Sequence, residues 1–161
     1  MKPILVAPSI ISADFSYLRG EVARVNDSGA DLLHVDIMDG HFVPNITFGP
    51  AITKTIKSLS KVPLDVHLMI SRPRQYITQF VEAGAHNITF HVECQDQIRT
   101  AIDEVIYYSR SVGLCREAED AARRREGLPR RDRPLLVMTV EPGLRRPEIH
   151  DRHDAEGEGS G

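Results

Sequence analysis

Leu32-Leu33-His34-Val35-Asp36-Ile37-Met38-Asp39-Gly40-His41-Phe42-Val43-Pro44-Asn45 is the stretch that decides how this chain folds. Its first half is apolar enough to be a buried strand, yet His34 and Asp36 interrupt the run. Residues two apart on a strand face the same way. An imidazole and a carboxylate therefore leave the same side of the strand. The second half, with Gly40 and Pro44, is a loop. It is long for a strand-to-helix connection, as substrate loops often are, although an ordinary surface turn has the same composition.

Working outward, residues 4–8, 63–69 and 87–92 are further apolar runs that read as buried strands. Helical spacing connects Leu18, Val22 and Val25, then Ile52, Ile56 and Leu59. It also connects Tyr76, Phe80 and Val81, with Pro73 in a first turn, and Ile98, Ile102, Val105 and Ile106. Ser28-Gly29-Ala30-Asp31 and Ala83-Gly84-Ala85-His86 each close a helix and open a strand. Strands that are apolar throughout and alternate with helices predict an α/β fold with a parallel sheet. Periodicity alone leaves both a barrel and an open sheet standing.

Parallel α/β folds place their chemistry at the carboxyl ends of the strands. Here those ends carry Ser9, then His34 and Asp36, then His67, then His91. A lone strand histidine is more often a satisfied core or surface group than a ligand. His67, at the matching position of the next strand, tips the balance toward a metal site. Two imidazoles and a carboxylate suit Zn²⁺, Fe²⁺, Mn²⁺ or Co²⁺. Met38, Met69 and Met138 stand at or near strand ends. They read as core filling or as an apolar cover for a reactive intermediate.

The whole chain sets wider bounds. Its 161 residues suit one domain but fall short of a complete (β/α)₈ barrel, which takes about 250. The formal net charge of −3 is no nucleic-acid signature. No apolar run is long enough to span a membrane, and the N-terminus lacks a secretory pattern. Cys94 and Cys115 suggest no disulfide framework, so the default compartment is the reducing cytoplasm.

Four segments resemble the ribulose-phosphate 3-epimerase family: Ala7-Pro8-Ser9-Ile10, the run from His34 to Asn45, Asp65-Val66-His67-Leu68-Met69, and Val137-Met138-Thr139-Val140-Glu141-Pro142-Gly143. The match is continuous over about 2–114 and returns for 135–143. The resemblance implies a (β/α)₈ TIM barrel of the ribulose-phosphate-binding type, and one divalent metal held by two histidines and two aspartates. It implies interconversion of D-ribulose 5-phosphate and D-xylulose 5-phosphate in a cytoplasmic enzyme that is often a homo-oligomer. By that resemblance His34, Asp36 and His67 are metal ligands, and Asp36 is also an acid/base residue. Ser9, His67 and Gly143 touch substrate, and Met38, Met69 and Met138 shield the intermediate. An epimerase of another ketose phosphate, such as allulose 6-phosphate, shares these residues. A phosphate-binding barrel decarboxylase does not, because Met38 stands where its Asp-x-Lys pair needs lysine.

The departures are as informative. The second catalytic aspartate of the family lies in an Asp-Gly-Gly segment that is absent here. Gly143 is followed by Leu144-Arg145-Arg146-Pro147 instead of a glycine-rich phosphate loop. Residues 115–133 form an aberrant, Arg-rich insert or loop, expected to be solvated because acids are mixed in. Codons allowed for 144–154, read one base further on, can spell Phe-Gly-Gly-Gln-Lys-Phe-Met-Thr-Asp-Met. The same shift from Cys115 permits Ala-Val-Lys-Pro-Lys-Thr-Pro. Both products look like the family, which points to reading-frame departures after about Leu114 and after Gly143. The expected organisation is an incomplete barrel domain over 1–143, lacking its last strand-helix units, and a disordered tail over 144–161. Such a chain is expected to be poorly folded or inactive, at most a metal- or partner-binding fragment.

Overall fold

The computed structural model describes residues 4–117 and 135–138, with the backbone alone for 116–117 and 135–138. Five strands follow one another: β1 (Leu33–Met38), β2 (Leu64–Met69), β3 (Ala85–His91), β4 (Ser111–Glu117) and β5 (Leu135–Met138). Helices α1 (Leu18–Asp27), α2 (Pro50–Leu59), α3 (Ile77–Glu82) and α4 (Ile98–Tyr107) occur among them. All four strand pairings are parallel, and the order across the sheet is β1-β2-β3-β4-β5.

That unbroken order settles the choice periodicity left open. An open doubly wound sheet reverses direction at a switch point; among the described residues there is none. Successive crossovers of one hand put every helix on the same face, and α1, α2, α3 and α4 indeed pack each against the next. This is the wall of an α/β barrel, five strands of it among the described residues.

One face of each of β1, β2, β3 and β4 supplies the core beneath the helices. Leu33, Val35 and Ile37 of β1, Leu64, Val66 and Leu68 of β2, and Ile88 and Phe90 of β3 are buried there with Val112 and Leu114 of β4. Val22, Ile56, Phe80, Ala101, Ile102 and Val105 meet them from the helices. Each large apolar side chain buried this way contributes about 1.5–3 kcal/mol. Gly29 and Gly84, at the two predicted junctions, have φ of 77° and 100°. A residue with a Cβ is strained in that left-handed region, so glycine is what turns the chain from helix into strand.

The other face is arranged in rows by the register. His34 pairs with Asp65, and Asp36 with His67, which pairs with Thr89 and through it with Gly113. Further along, Met38 pairs with Met69, and His91 with Cys115. Gly113 is needed for space: a Cβ there would stand 2.2 Å from Thr89 Oγ1.

Three expectations change. The predicted buried strand at 4–8 is held by Val6, whose carbonyl accepts from Asp31 and Leu32 just before β1 and whose N–H donates to the Asp31 carboxylate, by Pro8, whose carbonyl accepts from His34, and by one bridge, Ser9 to His34. Ile4 is 92% exposed, because this edge has a neighbour on one side only among the described residues. Ile52 and Ile106 are exposed, and Thr53 and Ala101 are buried in their helices. Ala101 joins the core cluster with Ile102 and Val105. Finally, β4 runs on to Glu117, so the first residues of the Arg-rich segment belong to the sheet. Residues 118–134, Gly143 and the tail at 144–161 lie outside the described residues, as does the side chain of Met138.

Candidate metal centre

His34 and Asp36 leave the inner face of β1, and His67 leaves that of β2. The parallel register then brings them together. Asp36 Oδ1 is 3.1 Å from His34 Nε2 and 3.3 Å from His67 Nδ1. One donor atom from each of the three residues lies within 4.8 Å of the others. Ser9 Oγ donates to the second Asp36 oxygen at 2.5 Å. The sequence-derived residues Ser9, His34, Asp36 and His67 thus form one cluster.

Two residues without an expected role complete it. Asp65 Oδ2 sits 2.7 Å from His34 Nδ1, and Asn87 Nδ2 donates to the other Asp65 oxygen. A carboxylate behind a histidine whose other nitrogen faces the metal fixes the ring and raises its basicity. Asp65 was legible as a strand residue two before His67. Its pairing with His34 was not, because register is a property of two strands.

The electrostatics follow from these contacts. Burial disfavours charge on His34, but the hydrogen bonds to Asp36 and Asp65 outweigh it and raise its pKa to about 10. Burial likewise opposes ionisation of Asp36, yet His34, His67 and Ser9 hold its carboxyl well below the usual range. Asp65 is lowered in the same way, against its own burial, by His34 and Asn87. Asp36 is therefore ionised at neutral pH, and His34 carries a proton that a metal ion would have to displace to bind there.

The donor set fits a divalent first-row ion. The 3.1 and 3.3 Å separations are those of neighbouring ligands with bonds of about 2.1 Å. Met38, Met69 and Val43 form a small buried cluster at the same strand ends, with Ile11 and Phe42 packed on it. Asp39 holds the loop down by accepting from the backbone N–H of His41, Phe42 and Ser71, each at 2.8 Å. A cavity of about 330 Å³ bounded by Ile11, Asn45, Ile46, Thr47 and Phe48 shares Ile11 with this cluster. None of His34, Asp36 or His67 borders it.

A parallel α/β barrel wall with a two-histidine, one-carboxylate cluster at its strand ends defines a class: α/β barrels with candidate metal-binding side chains at the sheet's carboxyl edge. The match to known sequences narrows it. Residues 5–146 match the model of the ribulose-phosphate 3 epimerase family, and the chain belongs to that family. A ribulose-phosphate 3-epimerase of Mycobacterium tuberculosis is 42% identical over 141 residues, 87% of this chain and 60% of the relative. One from Bacillus subtilis is 41% identical over 141 residues, 88% of this chain and 65% of the relative. One from Synechocystis is 58% identical over 92 residues, 57% of this chain and 40% of the relative. The chain thus spans about three-fifths of the length of most of these curated relatives.

Proposed function

We propose that this site is that of a ribulose-phosphate 3-epimerase, acting on D-ribulose 5-phosphate and D-xylulose 5-phosphate, with only one of the two acid/base carboxylates in this chain. The observation that carries the reading is Asp36 Oδ1 shared between His34 Nε2 and His67 Nδ1, with Ser9 on the other oxygen. His34, Asp36 and His67 hold one ion of Zn²⁺, Fe²⁺, Mn²⁺ or Co²⁺, which when bound stabilises developing negative charge on substrate oxygens.

Inversion at C3 removes a proton from one face and returns one to the other. Asp36 serves one face. Held low by His34, His67 and Ser9, its carboxylate is a weak base, and in this reading Met38, Met69 and Val43 strengthen it by restricting its solvation. Ser9 orients the carboxylate and touches substrate beside His67. Met138 and Gly143 belong to the same proposal, as the third shielding methionine and the start of the phosphate site. The small-molecule partner is a sugar phosphate and not a nucleic acid, in the cytoplasm, with a homo-oligomer as the intact assembly. Among the described residues no helix is long and apolar enough to cross a membrane.

The sequence has no Asp-Gly-Gly segment to serve the opposite face. Loss of one acid/base group costs about 10²–10⁴-fold. The purified chain is therefore expected to bind the ion, exchange the C3 hydrogen for deuterium slowly at one face, and form no detectable xylulose 5-phosphate. Asp36→Asn is expected to abolish the exchange. Rapid, complete epimerisation by this chain sinks the one-carboxylate reading. Undiminished metal binding after His34→Ala and His67→Ala removes the site itself.

A further inference from the structure

His67 has a second neighbour. Its Nε2 lies 3.0 Å from Nε2 of His91, and the two rings are stacked at 13° with centroids 5.1 Å apart. One donor atom each from His67, His91 and Cys115 falls within a 4.8 Å cluster, and all three residues are buried. β3 and β4 set this up directly, because His91 and Cys115 are register partners on the inner face. We propose that His67, His91 and Cys115 form a second metal site, selective for a thiophilic ion such as Zn²⁺, which shares His67 with the first.

The chemistry of the donors differs from that of the first site. Two imidazoles and a thiolate favour soft or borderline ions, whereas an imidazole–carboxylate set also takes harder ones. Neighbouring imidazole nitrogens bound at about 2.0–2.1 Å sit close to the observed spacing. A second observation points the same way. His91 Nδ1 is buried with no hydrogen-bond partner, 3.5 Å from the Glu93 carboxylate. Ligation through Nε2 leaves the His91 proton on Nδ1, facing that carboxylate, the arrangement found behind metal-binding histidines. The Phe42 ring covers His91 at 4.9 Å and keeps water away. On binding, the Cys115 thiol loses its proton to solvent and its sulfur pair goes to the metal. A neutral imidazole has one lone pair to give, so His67 serves one site at a time and the two sites exclude each other.

Cobalt is the probe. Co²⁺ is titrated into the full chain without air, and the thiolate-to-cobalt charge-transfer band in the near ultraviolet is followed. The band is expected in the parent, at least as strong in Asp36→Asn, unchanged in Cys94→Ser and absent in Cys115→Ser. X-ray absorption of the zinc-loaded parent, which needs no variant, is expected to show one sulfur at about 2.3 Å. No band and no sulfur scatterer overturn the proposal. So does a band that survives Cys115→Ser or depends on Cys94. The Asp36→Asn arm separates the sites: a band there, with no metal binding at the first site, leaves this inference standing when the other fails.

Discussion

Asp65→Asn is the change that tests the metal centre most sharply, because it alters no presumed ligand and almost no volume. The Asp65 carboxylate accepts twice, from His34 at one oxygen and from Asn87 Nδ2 at the other. An asparagine in its place has one acceptor oxygen and one amide donor. If the oxygen stays on His34, two amide nitrogens face each other across the strands. If the amide flips, His34 loses the acceptor that orients its ring. Losing such a partner typically weakens metal affinity about 10–100-fold, which is about 1.4–2.7 kcal/mol. The unpaired buried donor costs about 1–3 kcal/mol of folding stability, or a fall of about 2–4 °C in Tm for each kcal/mol in a chain of this size. The assay is calorimetric titration of Zn²⁺ into the parent, Asp65→Asn, Asn87→Asp and the double variant, each with a thermal melt. In the double variant the amide at 65 donates to the carboxylate at 87, its oxygen returns to His34, and Thr89 can donate to the relocated carboxylate. Part of the lost affinity is therefore expected back. Asp65→Asn binding as tightly as the parent, or a double variant no better than the single one, refutes the reasoning.

Other perturbations probe the frame that carries the site. Gly113→Ala puts a Cβ against Thr89, a buried β-branched side chain, and is expected to cost about 1–3 kcal/mol; an unchanged denaturant midpoint contradicts the inner-face packing. Ile56→Ala is expected to cost about 2–5 kcal/mol, while Ile52→Ala, at a residue 39% exposed, stays within about 0.5 kcal/mol. Equal losses at the two positions would show that α2 is rotated differently. Asp39 is slightly buried, which opposes ionisation, but three backbone N–H donors outweigh that and lower its pKa to about 2. A depressed folded-state pKa means stability that is present above the unfolded value of about 3.9 and is lost as pH falls toward 2. Denaturation midpoints between those limits are expected to fall more steeply for the parent than for Asp39→Asn, and parallel profiles would rule the contribution out.

Much of this was written locally. Alternation along 33–38 is enough to put His34 and Asp36 on one face and Leu33, Val35 and Ile37 on the other, since side chains on a strand alternate whatever lies beside it. Gly29 and Gly84 mark their helix ends through a backbone preference of their own. The faces of α1 and α3 follow from spacing at Val22 and Phe80. Other features had no local cause. Ile4, Leu5 and Val6 are as apolar as any inner strand, yet they are exposed, because among the described residues they have a neighbour along one edge only. Ile52 and Ile106 have the right spacing for the core, but the packed helices bury Thr53 and Ala101 and leave those two isoleucines exposed.

The same division runs through the site. Local pattern is enough for the family, for the shared inner face of His34 and Asp36 with His67 at the matching place on the next strand, and for the want of an Asp-Gly-Gly segment. Which side chains stand next to those three residues follows from the assembled sheet alone. Parallel register arises from a hydrogen-bond ladder between strands far apart in the chain, held by the packing of the helices that connect them. That ladder, and nothing in either strand alone, sets Asp65 behind His34, turns His67 toward both Asp36 and His91, and brings Cys115 beside His91.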